Sequence, residues 1–157
     1  MALNSLAIAT GIAALGPITA SGTINILDIT AEPQQVQPRD CPVMFPMPNG
    51  WMGGGNNEPS DGPETFGTPT TRSWVFNRSY KYVYLHAPAG AGRGLLDNNP
   101  GMSQNADAII SALVQLDLTN IDVKNVGIGQ FGVLQDPAGS KFYGYLVTVM
   151  LRERINA

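Results

Sequence analysis

The residues that could take part in catalysis are few and lie far apart in the sequence. His86 is the only histidine and Cys41 the only cysteine among 157 residues. General acid–base or nucleophilic catalysis needs a second group that orients or activates such a side chain, and no motif supplies one. A single cysteine also excludes an internal disulfide and a thiolate zinc site. We therefore interpret His86 as a structural residue at a strand end and Cys41 as a small core hydrophobe.

Two glycine-rich segments resemble nucleotide-binding loops without meeting their requirements. Gly127 to Gly132 matches G-x-G-x-x-G, but a dinucleotide site needs a helix to begin there, and this segment runs into a turn and a strand. Gly90 to Gly94 lacks the Gly-Lys-Ser/Thr ending of a phosphate loop. We predict β-bulges in a bent strand for the first segment. The carboxylates show no metal-ligand spacing, so we predict no catalytic, cofactor or metal site and no enzyme.

The charge content points away from a protein that grips nucleic acid. The formal net charge is −3, and charged residues make up 13% of the chain, against about 25% in typical domains. Binding driven by phosphate neutralisation needs a basic stripe, whereas the few basic residues here are scattered. Sparse charge suggests a surface that neighbouring subunits cover. An ordinary loop-rich protein is the alternative that composition leaves open.

The apolar N-terminus predicts a packed helix. Leu3 to Leu15 is apolar, but no Lys or Arg precedes Arg39, so the positive region of a signal peptide is missing. A segment of thirteen residues is also too short to span a bilayer. We expect a short helix that ends at Gly16 and Pro17, and no association with a membrane.

The remaining pattern predicts one α+β domain over residues 1–157. A mainly antiparallel or mixed sheet is covered by two helices, and long Gly/Pro-rich loops connect these elements. After the first helix, the segments are a strand at 23–29, an extended connector at 32–40, an edge strand at 42–45, a loop at 47–70, a strand at 71–86, a helix from Ser103 to Leu116, a strand at 121–135, a turn at 136–139 and a strand at 141–154.

Two of these strands carry the strongest patterns. Tyr80, Tyr82 and Tyr84 alternate along the strand at 71–86 and should face the helices, since stacking platforms for nucleic acid lie in basic grooves. The strand at 141–154 is apolar on both faces over its middle, which predicts a position with neighbours on both sides.

The loop at 47–70 contains the first candidate interface residues. A structureless loop of this length is unusual inside a compact domain and is normally functional or disordered. Trp51 and Met52 sit among glycines and asparagines, and large apolar side chains at a loop tip usually meet a partner. We therefore predict that they contact another subunit or protein. The alternative is that Trp51 folds back on its own core.

The order of elements resembles the tail terminator and tail completion proteins of long-tailed bacteriophages. The resemblance is carried by the glycine-bearing segment Ile121 to Gly129, the turn Asp136 to Gly139 and the aromatic segment Phe142 to Val149. Members of that family end in such a strand, turn and strand after a helix that packs on the sheet. The resemblance covers most of the chain and is one of layout, because it contains no signature residue.

This resemblance implies a structural role in the virion, at the junction of tail and neck. Such proteins form a ring, usually a hexamer, on the last ring of tail-tube protein, end tube growth and present a surface to the neck or head completion protein. Assembly takes place in the host cytoplasm, and DNA is only passing cargo in the lumen. Arg152, Glu153 and Arg154 are candidates for contacts that set the register between rings; a solvated chain end is the alternative.

Two other classes of function remain open from the sequence. One is a different virion component, such as a head-tail adaptor or head completion protein. The other is a small loop-rich ligand-binding domain or enzyme, which would need a pocket with convergent polar groups.

Overall fold

The computed structural model describes residues 4–31, 33–48, 50–52, 59–64, 73–90 and 94–156. Within these ranges, the chain forms two α-helices and seven strands in one sheet. The helices are α1 (Ser5–Ala13) and α2 (Leu95–Leu113), and the strands are β1 (Ile18–Ala20), β2 (Gly22–Ile26), β3 (Val43–Pro46), β4 (Pro59–Glu64), β5 (Ser73–Pro88), β6 (Ile121–Gln135) and β7 (Lys141–Asn156). The predicted α+β class is confirmed.

The sheet is mixed, with strand order β1-β2-β3-β5-β7-β6, and β4 pairs with the N-terminal end of β5. Only the short β2–β3 contact is parallel; the other described pairings are antiparallel. β7 pairs with β5 on one side and β6 on the other, as its two apolar faces predict. The β5, β7 and β6 strands form the long central part of the molecule.

Residues of β5 alternate between two packed faces of the sheet. We call the side of Tyr80, Tyr82 and Tyr84 the helix face, because these fully buried rings share one cluster with Ile8 of α1 and Ile109 of α2. The opposite side, the second face, carries a smaller cluster of Val36, Val43, Phe45, Val83, Leu85 and Phe142. The aromatic strand is therefore core, as predicted.

The second helix begins nine residues earlier than the sequence indicated, because Ser103 is the predicted N-cap and Gly94 is the observed one. Ser103 lies inside α2. The run from Asn98 to Gly101 looks like a turn, but Pro100 is the sixth helical residue. There it removes one backbone hydrogen bond, and its ring crowds the carbonyl of the residue four positions earlier. Asn98 donates from Nδ2 to the Gly94 carbonyl oxygen at 2.9 Å, and the acidic Asp97 lies in the first turn, where it suits the helix dipole.

Other predicted boundaries also change. The strand predicted at 42–45 is not an edge strand, because β3 pairs with β2 and with β5; its flanking prolines leave the N–H groups between them free to bond. The strand predicted at 23–29 ends at Ile26 and is followed by a 3₁₀ turn at Ile29–Ala31. The loop at 47–70 contains β4; the Gly/Pro-rich parts at 53–58 and 65–70 lie outside the described residues.

Candidate functional site

Trp51 lies in the core of the subunit. Its side chain is 7% exposed and its ring centroid lies 5.1 Å from that of Tyr80. The backbone of Lys81 positions this turn: Lys81 N–H donates to the Trp51 carbonyl at 2.8 Å, and Met47 N–H donates to the Lys81 carbonyl at 3.0 Å. The structure thus shows the alternative in which Trp51 folds back, not the exposed anchor. Met52 is half-buried and packs on the same cluster.

Glu153 belongs to a buried polar network on the helix face. The Arg78 guanidinium donates to Glu153 Oε1 at 3.3 Å, and the Tyr80 hydroxyl donates to Glu153 Oε2 at 3.0 Å. Arg78 also donates to Ser5 Oγ at the start of α1 and approaches the Met52 sulfur at 3.8 Å. Burial raises the pKa of Glu153 above its ordinary value, and Arg78 and the Tyr80 hydroxyl partly oppose that rise.

The three residues predicted to set the register between rings, Arg152, Glu153 and Arg154, therefore lie in different environments. All lie within β7 rather than beyond it. Glu153 is 2% exposed, so the solvated-end interpretation is wrong for it. Its burial within the subunit disfavours a contact with another protein, and that role stays a prediction. Alternation along β7 places Arg152 and Arg154 on the second face, half-buried and exposed respectively. Their role as contacts between rings stays a prediction.

His86 is part of a hydrogen-bond chain that packs α2 on the sheet. Asn105 Nδ2 donates to the Tyr84 hydroxyl at 2.6 Å, which leaves that hydroxyl to donate to His86 Nδ1 at 2.7 Å. Burial lowers the pKa of His86, and the neutral imidazole is the form that can accept this bond at Nδ1. Asn105 also bonds both backbone groups of Ser21. His86 thus takes part in packing α2 on the sheet.

Sequence reasoning missed Asn105 and Asp136. Asn105 is a polar residue inside the apolar stripe of α2, which was the available signal. Asp136 is buried, and its two carboxylate oxygens accept the N–H groups of Val36 and Ser140 at 2.9 and 2.7 Å. It closes the β6–β7 turn and fixes the connector before β3. A partner 100 residues away leaves no local pattern.

The glycine-rich segment and Cys41, two other features discussed from the sequence, are part of the packed subunit. Gly127 to Gly132 stays within β6, with a register shift between Gly129 and Gly132 and a positive φ at Gln130, so the bulge prediction is confirmed. Cys41 is a half-buried free thiol beside the second-face cluster, and burial, with Asp40 second, raises its pKa to about 11. Trp74 and Asn156 side chains lie outside what the structure describes.

A groove crosses the second face of the sheet. Two adjoining hollows of about 480 and 270 Å³ share Gln130 and Leu146. We call their union the Lys81 groove; it is lined by Phe45, Met47, Pro48, Lys81, Val83, Gly127, Ile128, Gly129, Gln130, Leu134, Gln135, Asp136, Pro137, Leu146 and Thr148. Its floor combines apolar side chains such as Val83 and Leu146, the open positions of Gly127 and Gly129, and polar Gln130 and Thr148. Lys81 is the one basic group among the described lining residues. Asp136 at its end has both oxygens occupied by backbone N–H groups.

Large apolar side chains are exposed on α2 and on the β6 strand. Leu96 is 81% and Val114 56% exposed, while Phe131 and Val133 of β6 are 47% and 52% exposed. β6 lies at the end of the strand order, so among the described residues its outer edge carries no neighbouring strand. Contiguous apolar groups beside an unpaired edge are typical of contact surfaces.

No family model matches the chain. Comparisons with curated proteins and with solved structures also give no match. Within the described ranges, no three His, Cys, Asp or Glu residues are placed to share a metal ion. Of the helices described, neither combines the length and the apolar character that crossing a bilayer requires.

Proposed function

We propose that this chain is a structural virion protein of a long-tailed bacteriophage. It forms a ring on the end of the tail tube, stops tube polymerisation and joins the tube to the neck of the head. The observation that carries the proposal is the layout at the C-terminal half: a helix packed on a sheet, then a glycine-bearing strand, an Asp-Pro turn and an aromatic strand. That layout resembles the tail terminator and completion family.

The surface supports an assembly subunit. A free monomer normally keeps its surface charged, whereas only 13% of these residues are charged. The exposed apolar residues of α2 and β6 lie on surfaces that another subunit can cover. In a closed ring, each subunit buries two different patches, one against each neighbour.

A conduit for DNA suits the acidic balance. The net charge of −3 disfavours tight phosphate binding, because affinity for DNA comes largely from Lys and Arg contacts that release counterions. A ring of such subunits surrounds passing DNA without gripping it. We expect the partners to be further copies of this chain, the tail-tube protein and a neck or head completion protein.

A head-tail adaptor or head completion protein is the alternative within the same class. The two are separated by the binding partner. Purified protein is mixed in parallel with isolated tail tubes and with tailless heads that bear their neck, and negative-stain micrographs record which structure gains a ring. A ring on the tube end supports the terminator assignment, and binding only to heads supports the adaptor.

The decisive experiment deletes the gene from its genome and examines the particles that form. We expect tails of uncontrolled length separate from filled heads, and rescue by a plasmid copy. Normal joined virions would reject the proposal. Tails of normal length that fail to join heads would instead indicate head completion.

A further inference from the structure

The outward side of α2 differs from an ordinary solvated helix face. Six exposed residues fall within roughly 80° around the helix axis at 3.6 residues per turn, and we call them the α2 stripe: Leu96, Pro100, Ser103, Asp107, Ser111 and Val114. Apolar residues stand at its two ends, about 27 Å apart at 1.5 Å per residue. Pro100 and small residues lie between them, and Asp107 is the one charge among the six. The exposed Gln104 and Asp97 border the stripe. α2 contains no Lys or Arg.

The Lys81 groove is complementary to the α2 stripe. Its floor spans four strands, β3, β5, β7 and β6, and is about 15 Å wide at about 4.8 Å between strands. A helix with its side chains is about 10–12 Å wide and therefore fits within this width. A Cβ built at Gly127 or Gly129 meets no atom within 4 Å, so the floor is open there. Val83 and Leu146 supply apolar surface beside the Lys81 ammonium.

We infer that the α2 stripe of one copy docks in the Lys81 groove of a second copy. Asp107 then pairs with Lys81, while Leu96 and Val114 cover the apolar groups of the groove. Charge complementarity selects a second copy as the occupant, because the groove offers one cation beside the apolar Val83 and Leu146 and the stripe offers one carboxylate between two apolar residues. Opposite charges fix register, and like charges placed there would be strongly unfavourable.

The contact joins two different surfaces of the same chain. The stripe lies on the layer above the helix face and the groove lies on the second face, so each copy can use both at once. Such head-to-tail contacts generate closed rings when the rotation closes. The inference thereby deepens the proposed function by assigning its ring interface, and it rests on the ring that this function requires.

Two charge reversals test the contact, with the full chain in both cases. Lys81→Glu and Asp107→Lys each place like charges in the interface and should weaken assembly on the order of a hundredfold. The two variants mixed in equal amounts should assemble, because each interface then pairs opposite charges again. Sedimentation velocity and native mass spectrometry should show closed species in which the variants alternate. The double variant should assemble by itself.

Matched reversals outside the contact are the controls. Lys124→Glu lies in the β6 bulge and Asp117→Lys beyond the end of α2, both exposed, and neither should affect assembly. Circular dichroism confirms that every variant folds. A monomeric wild-type chain, assembly that ignores both reversals, or single-variant defects that mixing fails to restore would each overturn the inference. These measurements contain no tail tube, so rings that form by this contact but never bind tubes would reject the function alone.

Discussion

At the scale of single residues, Trp51 shows how burial decides between an anchor and a core side chain. The glycine and asparagine residues next to Trp51 in the sequence favour an exposed loop tip. The two backbone hydrogen bonds to Lys81 instead turn this segment onto β5 and place the indole against Tyr80. A sequence pattern cannot indicate which strand a loop returns to, because that partner lies some 30 residues further along the chain.

Trp51→Ala should therefore destabilise the subunit itself. Truncating a buried Trp removes apolar contacts and leaves a cavity, at a cost of about 3–5 kcal/mol in the free energy of unfolding. Urea unfolding followed by circular dichroism measures the loss. Leu6→Ala, which truncates a 60% exposed side chain outside the proposed contact, is the control and should change stability by less than about 0.5 kcal/mol. Equal stability of Trp51→Ala and wild type would return Trp51 to the interface.

At the scale of elements, the strands with strict alternation were predictable and the helix start was not. The tyrosines of β5 mark one face, and the turn at Asp136 to Gly139 separates β6 from β7, so local pattern and final fold agree there. α2 begins inside a segment whose Asn, Pro and Gly residues favour a turn. Packing of Met102 and Leu95 against the main cluster overrides that preference, and no local propensity reports such packing.

Two glycines in neighbouring strands provide a prediction about sheet packing. A Cβ at Gly144 would clash with the Tyr84 carbonyl oxygen and come within 3.0 Å of its carbon, whereas one at Gly127 meets nothing within 4 Å. Gly144→Ala should force β5 and β7 apart and cost more than about 2 kcal/mol. Gly127→Ala should be neutral or stabilise by up to about 1 kcal/mol, since glycine weakens strands. Thermal unfolding of both variants measures the contrast, and similar midpoints would contradict it.

At the scale of the whole molecule, the candidate interfaces depend on which surfaces the fold leaves uncovered. The sequence identified low charge as a sign of assembly, but it assigned the contacts to Trp51, Met52, Arg152, Glu153 and Arg154. The tertiary structure buries Trp51 and Glu153 and leaves only Arg154 of the five exposed. The α2 stripe and the Lys81 groove emerge only once α2 has its true start and the sheet its strand order. Phe45 and Leu146, 101 positions apart in sequence, line the same groove, which no linear motif records.

The change of stability with pH also depends on the whole molecule, because the Arg78–Glu153 network joins the first helix to the last strand. Burial raises the pKa of Glu153 above 4.5 in the folded state. A raised carboxyl pKa contributes stability that is full below the unfolded pKa and is lost as pH rises through the folded pKa. The Glu153→Gln variant lacks this titration but keeps an acceptor for Tyr80. The stability of wild type relative to Glu153→Gln should therefore fall as pH rises from 4 to about 7.

Urea unfolding of both proteins at several pH values measures this difference. Asp117→Asn removes one carboxylate at an exposed position outside the proposed contact and separates a general effect of charge from the effect of the buried network. If the difference in unfolding free energy between wild type and Glu153→Gln stays constant from acid to neutral pH, burial does not control the pKa of Glu153. A difference that instead grows in favour of wild type would mean that Arg78 outweighs burial and holds the folded-state pKa of Glu153 below its ordinary value, since an ion pair that repays its desolvation stabilises the charged form.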